Sequence, residues 1–261
     1  MDPTTFLRHL KTQPFYRDQL AHVERLASRR ARFGRLSRPL PRALDMALKA
    51  AGVERFFRHQ AQAIDAVRNG EHIVVATGTA SGKTLAYNVP VIEAILLAPG
   101  TRALYLFPTK ALAQDQLRAL KELADGLGRE GRGKGPKPAL TFGTYDGDTP
   151  GSARAGLRRE AAVILTNPDM LHLGILPNHK LWADFLHNLR FVVLDEAHVY
   201  RGVFGSHVAV LMRRLNRLCE LYGSSPRFIC CSATIANPAE HVERLTGVRP
   251  AVLADDGSPQ G

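Results

Sequence analysis

Two short stretches of the sequence hold residue types that do chemistry together. The first is Thr77-Gly-Thr-Ala-Ser-Gly-Lys-Thr84. Its small residues let successive backbone N–H groups turn inward on an anion, and Lys83 adds a full positive charge. The second is Asp195-Glu196-Ala197-His198, which follows the apolar run Phe-Val-Val-Leu. Carboxylates delivered by a buried run cost free energy unless a cation meets them. The two stretches together point to ATP with Mg²⁺. Thr79, Ala80, Ser81 and Gly82 cradle the phosphates, Lys83 reaches the terminal ones, and the Thr84 hydroxyl and Asp195 hold the metal. Glu196 orients and deprotonates the attacking water. Each stretch has an ordinary reading on its own, as a glycine-rich helix cap or an acidic strand end. Lys83 and Thr84 upstream of the acidic pair tip the balance toward nucleotide chemistry. His198 and His207 do not make a zinc site at their separation, and His198 reads better as a coupling residue beside the nucleotide.

The elements that must position these residues follow from periodicity. From His72 onward the runs HIVVA, ALYLF, AVILT, FVVLD and RFICCS alternate with polar turns and amphipathic stretches. This is the pattern of an α/β fold with a parallel sheet flanked by helices, in which ligands bind at the carboxyl ends of the strands. The phosphate loop sits between HIVVA and the helical stretch LAYNVPVIEAILLA, where Pro90 predicts a kink or an irregular turn. GLGREGRGKGPKP, residues 126–138, reads as a mobile surface loop inside the domain. Residues 1 to about 50 hold no strand-like run and carry Arg29, Arg30, Arg32, Arg35 and Arg38, which predicts a basic helical extension.

The bulk properties are compatible with one large α/β domain. The chain has 261 residues, 45% of them hydrophobic, and a formal charge of +11, which makes a polyanionic partner plausible. The cysteines are Cys219, Cys230 and Cys231, two of them adjacent, so no disulfide framework is readable and a reducing compartment fits. The N-terminus has no apolar export core, and the apolar helix from Val89 to Ala98 is too short for a membrane and carries Glu93. The expectation is a cytoplasmic protein with no membrane segment.

Over about residues 56–247 the ordered motifs resemble those of the superfamily 2 DEAH-type helicases. Phe56-Phe-Arg-His-Gln-Ala-Gln-Ala-Ile64 resembles the segment that sets a glutamine against adenine, which implies that role for Gln60. Phe107-Pro-Thr-Lys-Ala-Leu-Ala-Gln-Asp-Gln116, Thr144-Tyr-Asp-Gly-Asp148 and Leu165-Thr-Asn-Pro-Asp-Met170 resemble the strand-binding motifs, and imply phosphate contacts from Thr109, Lys110, Thr144, Thr166 and Asn167. Singly, each of these segments reads as a capped turn before a helix. Ser232-Ala-Thr234 resembles the motif that couples hydrolysis to strand movement through bonds to the acidic motif. The phosphate loop departs from the usual pattern at Thr77 and at Ala80, where glycine is expected or common. TGTASGKT and HVYRGVFGSH look most like a DNA-repair branch that includes the mitomycin-repair-type helicases, so DNA is favoured over RNA.

The resemblance implies a RecA-like P-loop lobe at residues 51–254, a helical extension at 1–50, and at 255–261 the start of a linker to a second lobe. That lobe would bring arginines to the γ-phosphate. The chain closes soon after Thr234, so an excised piece or a truncated reading frame is expected, one that binds ATP and hydrolyses it slowly. Two other readings stand beside this one. A protein-translocating motor would not show salt-sensitive DNA or RNA binding, and a non-enzymatic nucleic-acid or partner-binding module would be indifferent to Lys83→Ala.

Overall fold

A computed structural model describes residues 2–24, 28–130 and 140–259. The chain forms two compact units, Met1–Arg30 with Pro259–Gly261, and Ala31–Ser258. In the first, α1 (Pro3–Lys11) starts at Asp2, whose carboxylate accepts from the Thr5 N–H at 3.2 Å.

The second unit carries the sheet. A two-residue ladder pairs β1 (Phe33–Gly34) with β2 (Phe56–Phe57) antiparallel, with α2 (Arg42–Ala50) between them. Then come α3 (Arg58–Arg68), β3 (Ile73–Ala76), α4 (Lys83–Leu97), β4 (Arg102–Leu106), α5 (Lys110–Glu130), β5 (Phe142–Thr144), α6 (Gly151–Glu160) and β6 (Val163–Thr166). A short α7 (Pro168–Met170) leads through π- and 3₁₀-type turns to α8 (Ala183–His187), β7 (Leu189–Leu194), α9 (Gly202–Leu221), β8 (Arg227–Ser232), α10 (Pro238–Thr246) and β9 (Ala251–Leu253). The strand order is β5-β6-β4-β7-β8-β3-β9, and every pairing is parallel. All five predicted strands are present. β5 and β9 escaped the sequence because three residues are too few to show a period.

Strands buried on both faces explain the continuous apolar runs. Along β3, Ile73 and Val75 join one core with α2, α3, α4 and α5, while Val74 faces a second core under α9 and α10. The same alternation puts Tyr105 in the first core and Leu104 and Leu106 in the second.

Four expectations are corrected. The boundary at residue 50 does not hold, because α2 buries Leu44, Ala47 and Leu48 in the first core, and Ser37 donates to Asp65 on α3. The region is also not free of strand, since Phe33 and Gly34 pair with Phe57 and Phe56. Residues 126–130 belong to α5 rather than a loop. There Gly126 lets two helices touch, for a side chain at that position would lie 3.0 Å from the Ala47 Cβ. The rest of the expected loop, residues 131–138, lies outside the described residues. Finally, 255–258 do not run free as a linker. The Gly257 carbonyl accepts from the Arg32 N–H at 2.8 Å, and Asp255 pairs with Arg32 and Arg58. At Pro90, helix α4 forfeits a backbone donor yet continues to Leu97, since the core packs it on both sides of the proline.

Among the described residues no helix is long and apolar enough to cross a membrane, and no group of three or more histidine, cysteine or acidic side chains could hold a metal.

Candidate nucleotide site and strand-facing edge

The phosphate loop joins β3 to α4, so its backbone opens over the carboxyl end of the sheet. Gly82, at φ +74°, turns the chain into α4, and a side chain there would meet the Gln60 amide at 2.5 Å. Only glycine fits. Ala80 also lies in the left-handed region, at φ +62°, where an alanine is strained. Thr77 adopts no positive φ, so glycine is not needed, and its hydroxyl meets that of Ser81 at 2.7 Å across the loop. The two departures from the usual pattern are therefore unlike: threonine at 77 latches the loop, and alanine at 80 strains it.

Lys83 is buried, and its ammonium donates to the carbonyls of Thr77 at 3.1 Å and Gly78 at 2.8 Å. Gln60 is equally enclosed. Its Oε1 accepts from the Phe57 N–H at 2.8 Å and its Nε2 donates to the Gly82 carbonyl at 2.9 Å, so its amide braces the loop from behind. Thr79 and Ala80 are exposed at the loop tip, Ser81 is buried and Thr84 half-buried.

β7 delivers the acidic pair two strands away from β3. Asp195 is 9% exposed, and burial pushes its carboxyl above the ordinary range, with the Glu196 charge adding to the rise. Its Oδ1 accepts from the Glu196 N–H at 2.9 Å, and its Oδ2 faces the Tyr87 hydroxyl at 3.1 Å. Glu196 is held at φ +48°, a strained backbone at the residue expected to handle water. Its Oε2 is shielded from solvent and has no hydrogen-bond partner among the described residues. A buried carboxylate under desolvation and an orphaned carboxylate oxygen beside it fit a site that completes itself with a cation and a water.

His198 reaches the end of β8. Its Nδ1 accepts from the Ala233 N–H at 3.2 Å, which leaves the ring proton on Nε2. The 3.2 Å approach of Nδ1 to Glu196 Oε2 is then a contact of two acceptors rather than a hydrogen bond. The expected link between Ser232-Ala-Thr234 and the acidic motif exists, but it runs through a backbone N–H. Ser232 is buried with its hydroxyl on the Ala233 carbonyl, and Thr234 is exposed.

The strand-facing candidates occupy the other half of the sheet, after β4, β5 and β6. Lys110 is exposed and pairs with Asp148 at 2.7 Å, joining the β4 and β5 loops. Thr109 Oγ1 accepts from the Leu112 N–H at 3.3 Å and Asn167 Oδ1 from the Met170 N–H at 2.8 Å, so both cap helices. Thr144 lies half-buried at the end of β5, its carbonyl taken by the Thr149 hydroxyl. Thr166 departs from expectation. It is 1% exposed and donates its hydroxyl to the Tyr145 carbonyl at 2.6 Å, so it cannot reach a phosphate.

The sequence reading passed over two site residues. His59 is fully buried, its Nδ1 accepting from the Gly257 N–H at 3.2 Å and its Nε2 donating to the Ser81 carbonyl at 3.0 Å. Burial holds this imidazole below its usual pKa, so it works as a neutral bridge. Tyr87 is the other, and its only signal was a tyrosine one helical turn past Lys83.

Comparison with known proteins bears on these arrangements. Residues 57–242 match the family model described as DEAD/DEAH box helicase. The chain is 49% identical over 229 residues to the ATP-dependent helicase YprA of Bacillus subtilis, covering 86% of this chain and 29% of that protein. It is 42% identical to the ATP-dependent helicase HRQ1 of Saccharomyces cerevisiae, over 98% of this chain and 23% of the relative. The crystal structure of the DUF1998 helicase MrfA bound to DNA and AMPPNP is similar at a TM-score of 0.90 and 43% identity, covering 100% of this chain and 35% of that one. The chain thus spans about a quarter to a third of the length of these relatives.

Proposed function

The chain belongs to the DEAD/DEAH box helicase family and has its RecA-like fold, and we propose that it is the ATP-binding lobe of a helicase acting on DNA. The observation that carries this reading is convergence. The phosphate loop, the acidic pair and the Ala233 amide lie at the carboxyl ends of three adjacent strands, β3, β7 and β8, and the strand-facing segments follow at β4, β6 and β5. The +11 charge suits a polyanionic partner, and DNA is favoured by MrfA, a similar protein solved with DNA and AMPPNP.

In this reading Lys83 leaves the Thr77 and Gly78 carbonyls and turns its ammonium to the terminal phosphates. Gln60, its amide engaged by the Phe57 N–H and the Gly82 carbonyl rather than free for the adenine contact expected of it, and His59 keep the loop's shape from behind while the backbone N–H groups donate to the anion. Thr84 and Asp195 would hold Mg²⁺, which would neutralise the phosphates and the desolvated Asp195 carboxylate. Glu196 Oε2, the orphaned oxygen, accepts a proton from the attacking water. His198 carries the state of the acidic motif to Ala233 and the end of β8. Hydrolysis drives strand translocation and unwinding when a second lobe closes the site. Lys110, Thr109, Thr144 and Asn167 contact the DNA backbone and carry no base specificity. The free, buried cysteines agree with a reducing cytoplasmic setting.

A nucleotide-binding titration and a DNA-binding titration test the reading together. Lys83→Ala should weaken ATP binding by about 10- to 100-fold, the value of a charge-assisted contact. Wild-type binding to single-stranded DNA should fall steeply with added salt. Unchanged ATP binding in the variant, or DNA binding indifferent to salt, rejects it.

A further inference from the structure

Tyr87 stands between the two halves of the carboxyl edge. It lies on α4, one turn beyond Lys83, and is fully buried, its ring edge-on to Tyr105 at 5.3 Å between centroids. Its hydroxyl is 3.1 Å from Asp195 Oδ2 and 3.0 Å from the side-chain amide of Gln116. Gln116 lies in the second turn of α5, the helix that begins at Lys110 and whose first turn is capped by Thr109. Three segments with separate expected tasks therefore meet at one phenol: the phosphate-loop helix, the acidic motif and the helix behind the first strand-facing loop.

A phenol has one proton and cannot donate to both neighbours at full strength. With the Gln116 amide turned so that its NH₂ faces the tyrosine, the contacts form a continuous chain. In the structure Gln116 Oε1 faces the phenol; turned in this way, the Gln116 N–H would donate to the Tyr87 oxygen while the Tyr87 O–H donates to Asp195 Oδ2. Asp195 then has both carboxylate oxygens held, Oδ1 by the Glu196 N–H and Oδ2 by Tyr87. The carboxylate cannot rotate without breaking one bond, and α5 cannot shift without pulling on the other.

We propose that Tyr87 is a positioning residue that orients Asp195 toward the metal-bound nucleotide and ties it, through Gln116, to the helix behind the first strand-facing loop. The inference rests on the ATP and Mg²⁺ reading above. It adds a physical path between the two sites that needs neither the second lobe nor Ser232-Ala-Thr234.

The test uses Tyr87→Phe, which keeps the ring and removes the hydroxyl, and Gln116→Ala at a half-buried position. A fluorescent non-hydrolysable ATP analogue is titrated with Mg²⁺ and again with EDTA, and single-stranded DNA is titrated with and without the Mg²⁺ analogue. Partners that orient metal ligands are worth about 10- to 100-fold in metal affinity. Tyr87→Phe should therefore weaken binding of the analogue about tenfold in Mg²⁺ and leave it unchanged in EDTA. Gln116→Ala should do the same more weakly, and in both variants the factor by which the analogue alters DNA affinity should shrink toward one. Equal losses in Mg²⁺ and EDTA, or no loss in either, overturn the proposal and leave the ATP reading standing. Wild-type protein whose analogue binding ignores Mg²⁺ overturns both.

Discussion

The carboxyl edge of the sheet is divided between two unlike surfaces. At β3, β7 and β8, side chains are wholly or partly buried and incompletely satisfied: Lys83 makes do with loop carbonyls, Asp195 is desolvated although both its oxygens are held, and Glu196 Oε2 has no hydrogen bond among the described residues. At β4, β5 and β6, the expected contact residues are exposed or already employed, with Thr109 and Asn167 capping helices and Lys110 paired to Asp148. The difference suits the ligands proposed for each half. A small, highly charged phosphate group rewards a preorganised, dehydrated site, whereas a long backbone is held by many weak, solvated contacts.

Substitutions can break this division or sharpen it. The largest effect is expected from Glu196→Gln in the intact gene product: ATP turnover with single-stranded DNA present should drop about 10²- to 10⁴-fold while ATP still binds. Normal turnover would remove Glu196 from the water-handling role and weaken the contrast between the halves. On the other half, Lys110→Ala should reduce the slope of log affinity against log salt by about one phosphate contact and lower DNA affinity severalfold, with ATP binding unchanged. Thr166→Val tests whether that half is uniform. Losing the bond to the Tyr145 carbonyl should cost about 1–2 kcal/mol of stability, read from chemical unfolding, with no change in DNA affinity for the folded protein. The smallest effect belongs to the strained loop. Ala80→Gly should raise stability by up to about 1 kcal/mol by relieving the left-handed backbone, and a destabilised variant would show that the strain is offset elsewhere.

How far each half could be read beforehand differs for the same reason. Phosphate chemistry demands particular residue types in one contiguous loop, so Lys83, Thr84 and the acidic pair announce themselves from letters and order. Backbone contacts to DNA use threonine, asparagine and lysine, which also cap helices and cover surfaces. Thr166 was misread because nothing local distinguishes a hydroxyl facing solvent from one turned to a carbonyl 21 residues away. The basic segment before residue 50 misled in another way. Its arginines suggested a separate basic helical extension, but Leu44, Ala47 and Leu48 sit on one face of α2 and are drawn into the core. Gly126, read as loop punctuation, is instead the point where α5 closes on α2.

The sequence alone was enough for the parallel α/β fold and for the place of the glycine-rich loop and the acidic pair at strand ends, because strand periodicity and residue chemistry act over a few neighbouring residues. Tertiary structure alone decided the strand order, the enclosure of Asp195 and the two bridges of the site, His59 between Ser81 and Gly257 and Tyr87 between Asp195 and Gln116. Those contacts join residues 22 to 198 positions apart. Their geometry depends on how whole strands and helices are placed, and no local pattern encodes it.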